Sequence, residues 1–283
     1  MANFLDEFRD ILARGDDLPT LPSVVLELNA ALDDDLVSGG KIATIINRDP
    51  SLTTRLLRVA NSVAFNCGTA VGEVDTAIQV LGFRQVRAIC IGLAVVRAFS
   101  VRRHGLIRGS FWHHSTGVAL VARELSRCLG YSEIPLEEIY VGGLLHDVGL
   151  LLLDQHFPTR LKDSLVVAQA CDDPLWKAET ILLGTDHAEI GALLLGRWAL
   201  PQSIVSMVAA HHNPQLGPPK YRDACWLIFA AEIICGGLGP SLQIEQLTRT
   251  RALSILDIMR AADYDVDELL SGLSIATEEL AAV

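Results

Sequence analysis

Residues 140 to 153 read YVGGLLHDVGLLLL, an apolar run broken only by the adjacent pair His146 and Asp147. A helix that is apolar on all sides belongs in the middle of a protein, packed on every face. An ionised carboxylate buried there costs several kcal/mol unless it is paired or coordinates a cation. The stretch therefore raises two linked expectations: a central helix, and positive charge beside Asp147. On one regular helix the two side chains diverge by about 100°, so that His146 can bind one cation while the Asp147 carboxylate bridges to a second.

Outward from this stretch, nearly every segment shows helical spacing, and no sustained alternation of apolar and polar residues is flanked by hairpin turns. The fold class is all-α. Cap chemistry places several helix starts: Asp49 with Pro50 before SLTTRLLRVANSVAF, Asp75 before TAIQVL, and Asp186 with Glu189 three residues on before IGALLLGRW. Gly82, Gly130 and Gly184 read as stops. Pro201 opens QSIVSMVAAHH, and Pro214 forbids its continuation. Residues 97 to 110, RAFSVRRHGLIRGS, are short of large apolar side chains and carry Arg97, Arg102, Arg103 and Arg108. They are predicted to form a solvated junction, with a phosphate-binding patch as the alternative. The expected organisation is an N-terminal helical part over 1–109, a core over 110–235, and C-terminal amphipathic helices over 236–283 that pack back on the body.

A chain of 283 residues that is 50% hydrophobic and 20% charged can bury a large core. Its net charge of -11 opposes general affinity for nucleic-acid backbones. AICIGLAVV is bracketed by Arg87 and Arg97, so no uninterrupted apolar run is long enough for a membrane span. The acidic, amphipathic N-terminus lacks the pattern of a signal peptide, and the expected location is the cytoplasm. Six cysteines at irregular spacing, with no CxxC pair, read as reduced core residues.

The histidines sharpen the expectation of a cation. His114 shares a stripe with Val118, Val121 and Leu125, whereas His113 shares one with Gly117, Leu120 and Glu124. His114 therefore points inward on a helix beginning at Trp112. His211 follows Ile204 and Val208, His212 follows Val205 and Val208, and His187 opens another apolar face. A buried set of several imidazoles and one carboxylate suits a transition metal such as Fe, Mn, Zn or Ni better than Mg or Ca, which prefer oxygen ligands.

With these motifs assembled, the sequence resembles the HD superfamily of metal-dependent phosphohydrolases, and in particular its HDOD branch, over residues 18 to 235. LPTLPSVVLELNAAL, DPSLTTRLLRVANSVAF, VDTAIQVLGFRQVRAI, FWHHS, YVGGLLHDVG and HAEIGALLLGRWALP followed by HH occur in the family's order. The resemblance implies an HD-like helical bundle with an N-terminal helical subdomain. Matched against the HD-GYP phosphodiesterases, it implies a binuclear site. His114, His146, Asp147 and Glu232 would surround one metal, with Asp147 bridging to a second held by His187, His211 and His212. The family's closing Asp is Glu232 here, the Lys after its HD pair is Leu150, a Glu one turn before the first His is Ser110, and the GYP signature is replaced by NPQLGPPKYRD. These departures argue against cyclic dinucleotide hydrolysis.

The implied function is that of a bacterial signal-transduction or regulatory protein with a largely retained metal site and signalling proteins as partners. The alternative is an active metal-dependent phosphohydrolase on a nucleotide or other phosphate ester, with Asp147, His211 and His212 as its catalytic residues. HD-fold di-iron oxygenases, in which a similar shell activates dioxygen, rank third.

Overall fold

The computed structural model describes residues 4–14, 23–32, 38–62, 65, 68, 70–99 and 108–238. Among the described residues the secondary structure is helical throughout, as the spacing predicts. They divide into two compact units, one holding the described residues between 19 and 101 and the other those within 1–18 and 102–266.

The first unit contains α2 (Ser23–Leu32), α3 (Gly39–Asn47), α4 (Pro50–Ala60) and α5 (Val74–Phe99). Asp49 caps α4 as expected, accepting from the backbone N–H groups of Ser51 and Leu52, with Pro50 in the first turn. Leu52, Leu56, Val59 and Ala60 form the buried stripe of α4. Asp75 is not a cap: α5 starts one residue earlier, and Asp75 lies in its first turn, where a negative charge still favours the helix N-terminus. By length and hydropathy α5 is the one described helix that could cross a membrane. Gly82, at φ 79°, breaks it as predicted, and its apolar residues Val86, Ile89, Cys90 and Ile91 are buried against the unit's other helices.

The predicted junction is shorter than its composition suggested. Arg97 lies within α5 and pairs with Asp49 at 2.5 Å, so it is neither in a loop nor free to bind phosphate. Arg102 and Arg103, the Arg108 and Ser110 side chains, and the helices expected after residue 238 fall outside the described residues.

The second unit contains α1 (Phe4–Arg14), α6 (Arg108–Cys128), α7 (Leu136–Leu145), α8 (Val148–His156), α9 (Pro158–Cys171), α10 (Leu175–Leu183), α11 (His187–Arg197), α12 (Gln202–Ala210), a short 3-10 turn at Pro214–Leu216, and α13 (Arg222–Leu238). α1 joins this unit through Phe4, whose ring meets Phe157 edge-on at 4.8 Å. α6 begins a turn before the expected Trp112, and its stripe of His114, Val118, Val121 and Leu125 is buried as read. Gly130 and Gly184 take the positive φ of helix stops, and Asp186 caps α11 through the N–H of Glu189. Cys90 and Cys225 are buried and unpaired, but Cys171, at the solvent end of α9, is exposed.

α7 and α8 occupy the centre. Every residue from Ile139 to Leu153 is buried, with α7 packed on α6, α12 and α13, and α8 on α9 and α11. The glycines of the opening stretch make this possible. A Cβ on Gly143 would lie 2.6 Å from the Ala119 Cα of α6, and one on Gly149 would lie 1.9 Å from the His187 carbonyl oxygen of α11. Only hydrogen fits at either crossing, so these positions set the distances from α7 and α8 to the helices that carry His114 and His187.

Candidate metal centre

The stretch is two helices, not one. α7 ends at Leu145, His146 is its C-cap, and Asp147, at φ -97° and ψ 11°, begins α8. The expected divergence of about 100° on a single helix is thereby removed. The break turns both side chains to one point, and His146 Nε2 lies 3.2 Å from Asp147 Oδ2.

Four other helices aim side chains at this break. His114 comes from the middle of α6, His187 from the first residue of α11, His211 and His212 from the end of α12, and Glu232 from the middle of α13. The structure thus brings together all seven residues singled out in the sequence. The two oxygens of Asp147 face different groups. Oδ2 lies 3.9 Å from His114 Nε2, and both His114 and His146 approach Glu232 Oε2, at 2.9 and 3.1 Å. Oδ1 lies 3.2 Å from His187 Nε2 and 3.5 Å from His211 Nε2, while His212 Nε2 is 2.8 Å from His187 Nε2. The ligand atoms of His114, His146 and Glu232 fall within 4.8 Å of one another, as do those of His187, His211 and His212.

Tautomers follow from the outer ring nitrogens. His146 Nδ1 donates to the Gly143 carbonyl and His211 Nδ1 to the Val208 carbonyl, each at 2.7 Å, which leaves both Nε2 lone pairs facing inward. Among the described residues, Nε2 of His114, His146 and His211, Oδ2 of Asp147 and Oε2 of Glu232 are buried without a hydrogen-bond partner. Buried polar atoms converging in this way are costly unless protons or a cation sit between them.

The protonation equilibria express the same demand. Burial pushes His146 down, but Asp147 and Glu232 outweigh it and lift it to about 10. Burial also opposes His187, which Glu179 and Asp147 hold well above its ordinary range. Asp147 is held well below the carboxylate range by His146, His187 and His211 despite its burial. His212 is pushed well below its ordinary range by burial and by its neighbours His211 and His187. Without a metal the centre retains protons. A bound cation would take their place, and the imidazoles would then bind in neutral form.

Two features were not anticipated, at Glu179 and Trp176. Glu179 on α10 is fully buried, and its Oε2 accepts both the ring Nδ1–H of His187, at 2.6 Å, and the backbone N–H of His187, at 2.9 Å. Its signal was available: Glu179 shares the apolar stripe of Leu175, Ala178 and Leu183, and a carboxylate there needs the same explanation as Asp147. Trp176 stacks on His212 at 5.6 Å between ring centroids, roofing the edge of the centre. Leu150, in the place of the relatives' Lys, is completely buried and faces the core.

A profile of the HDOD domain matches residues 18–214, most of the chain. Glu232 lies beyond that range and is brought in by α13. The fold is similar to that of an HDOD domain protein of unknown function from Geobacter sulfurreducens, 25% identical, with a TM-score of 0.78 and 96% of each chain covered. It is also similar to a Shewanella amazonensis protein provisionally designated a phosphohydrolase, 27% identical, with a TM-score of 0.74, covering 96% of this chain and 97% of that one. An uncharacterized protein of Treponema pallidum (strain Nichols) is 26% identical over 240 residues, 85% of this chain and 46% of the relative. The chain thus spans about half the length of that curated relative.

Proposed function

The chain belongs to the HDOD domain family, and on that premise we propose that it is a cytoplasmic signal-transduction protein built around a binuclear transition-metal centre. The observation that carries this reading is the convergence of five buried polar side-chain atoms with no hydrogen-bond partner among the described residues. His114, His146, Asp147 and Glu232 would hold one cation. His187, His211 and His212 would hold the other, with Asp147 offering one oxygen to each. Five imidazoles and two carboxylates suit Fe, Mn, Zn or Ni. The partners are signalling proteins bound on the helical surface, with the metal fixing the arrangement of the five helical elements that supply ligands. Neither general nucleic-acid binding nor membrane association is part of the proposal.

A second reading, hydrolysis of a phosphate ester, is favoured by the convergence of seven candidate ligands and by the Shewanella relative's provisional designation. Bound divalent cations supply a water of lowered pKa and polarise a phosphoryl oxygen. The chain's own part would be to orient that chemistry through Asp147 and to offer His211 or His212 to the leaving oxygen. His212, kept neutral and only partly buried, is the better placed of the two to contact a ligand. Buried Leu150 gives the phosphate no charged contact, which ranks this reading second.

Elemental analysis of protein purified without chelator tests the first reading. It predicts near-stoichiometric Fe, Mn, Zn or Ni that is lost in Asp147→Ala, and metal-free protein of unchanged stability would sink it. The second reading predicts turnover of an aryl phosphate or a nucleotide that disappears in His146→Ala. Metal-loaded protein inert toward a broad phosphate-ester panel would exclude it.

A further inference from the structure

We infer that Glu179 is a positioning residue that gives the cation held by His187, His211 and His212 its affinity, making the two halves of the centre unequal. The inference rests on the binuclear reading and adds to it an outer carboxylate committed to one half.

The outer hydrogen bonds of the inward imidazoles carry the argument. His146 and His211 give their Nδ1–H to neutral backbone carbonyls. His187, in contrast to these two, gives its Nδ1–H to a carboxylate, and the same Glu179 oxygen also accepts the His187 backbone N–H. Two donors from one residue on one oxygen fix both the start of α11 and the plane of the ring. The tautomer is fixed as well. With Nδ1 donating, the Nε2 lone pair is directed at the centre, beside Asp147 Oδ1 and His212 Nε2. A carboxylate behind an imidazole also makes that imidazole a better donor to a metal.

Charge distribution makes the arrangement specific to this half. His114, His146 and Glu232 already include a carboxylate, whereas His187, His211 and His212 bring only imidazoles and share Asp147. Glu179 is fully buried, and its second oxygen, Oε1, has no hydrogen-bond partner among the described residues. A buried carboxylate with half its acceptor capacity unused is an expensive way merely to hold a helix end. Its negative charge is offset when a cation sits on the far side of the His187 ring.

The test is a Co2+ and Zn2+ titration of the metal-stripped full chain, by calorimetry and by visible absorption of the Co2+ form. It compares the parent with Glu179→Gln and Glu179→Asp, and thermal melting of the metal-free forms serves as the structural control. The parent should take up two equivalents. Glu179→Gln should weaken one of them by roughly 10–100-fold and leave the other at the parent value, since outer-shell partners typically carry that much affinity. Part of the Co2+ absorption should be lost selectively, and Glu179→Asp should recover part of the affinity. Two equivalents at parent affinity in Glu179→Gln would overturn the inference, as would equal weakening of both together with a lowered melting point. A parent chain that binds no Co2+ or Zn2+ would instead overturn the binuclear reading itself.

Discussion

Replacing Gly149 by Ala tests whether the crossing of α8 and α11 sets the geometry of the centre. The new Cβ would lie 1.9 Å from the His187 carbonyl oxygen, 2.8 Å from its carbonyl carbon and 2.9 Å from the Gly191 nitrogen. All three are backbone atoms, so no side-chain rotation relieves the clash. Going from 1.9 Å to an ordinary contact of 3.4 Å requires the helices to part locally by about 1.5 Å. Two atoms each about 2.0–2.2 Å from one cation lie at most about 4.4 Å apart. Taken up along the 3.2 Å contact between His187 Nε2 and Asp147 Oδ1, the parting carries that pair to ~4.7 Å, past the limit for a shared ion. Overpacking against backbone costs about 3 kcal/mol, and the better helix propensity of Ala returns about 1 kcal/mol. The net loss of about 2 kcal/mol lowers the melting temperature by roughly 4–8 °C for a unit of this size. Calorimetry of the metal-free protein reads the melting shift, and a metal titration reads the lost affinity. A variant that melts within about 1 °C of the parent and binds the same cations equally well would refute the reasoning.

Other perturbations probe separate parts of the structure. Gly196→Ala, at an exposed position on α11 where a Cβ meets nothing within 4 Å, should stabilise by about 0.5–1 kcal/mol in urea denaturation, the opposite sign from Gly149→Ala. Asp49→Ala removes the α4 cap and the partner of Arg97, and should cost about 1–2 kcal/mol; Asp49→Asn, which keeps a capping oxygen, should cost less than about 1 kcal/mol. Because the folded metal-free chain holds His146 up to about 10 against an ordinary 6.5, protonated His146 stabilises it fully below pH 6.5, and that contribution is lost as the pH rises toward 10. Urea midpoints measured across this window should fall for the stripped protein and show a smaller fall once a cation has replaced the proton. Metal loading should also change Trp176 fluorescence through its stack on His212, and Trp176→Phe should abolish that change.

The helical class was legible because periodicity is a local property, and the caps at Asp49 and Asp186 were legible because each acts within three residues. The inward stripe of His114 could be read for the same reason. The exact start of α5 depends on one residue of fraying, which the Asp75 signal does not resolve. The break between Leu145 and Val148 was invisible, because no Pro marks it and the residues on both sides are equally apolar. The close approaches on its two sides are tertiary: Gly143 lies against α6 and Gly149 against α11. Arg97 looked like part of a basic loop until the fold brought Asp49 beside it from across the first unit. Glu179 carries the same signal as Asp147, a carboxylate on an apolar stripe, but its stripe of Leu175, Ala178 and Leu183 is short and bears no histidine of its own.

The candidate ligands come from five places along the chain, from His114 on α6 to Glu232 on α13. A cation held by them is therefore a cross-link that closes most of that unit into one loop. Closing a long loop restricts the unfolded chain more than closing a short one, and a preformed set of donors does not exist before the helices meet. Metal affinity and folding stability are then one quantity measured in two ways. Each tenfold rise of free metal above its dissociation constant adds about 1.4 kcal/mol of resistance to unfolding. Protease resistance and hydrogen exchange across the second unit would then report on cation concentration, even at amides far from any candidate ligand.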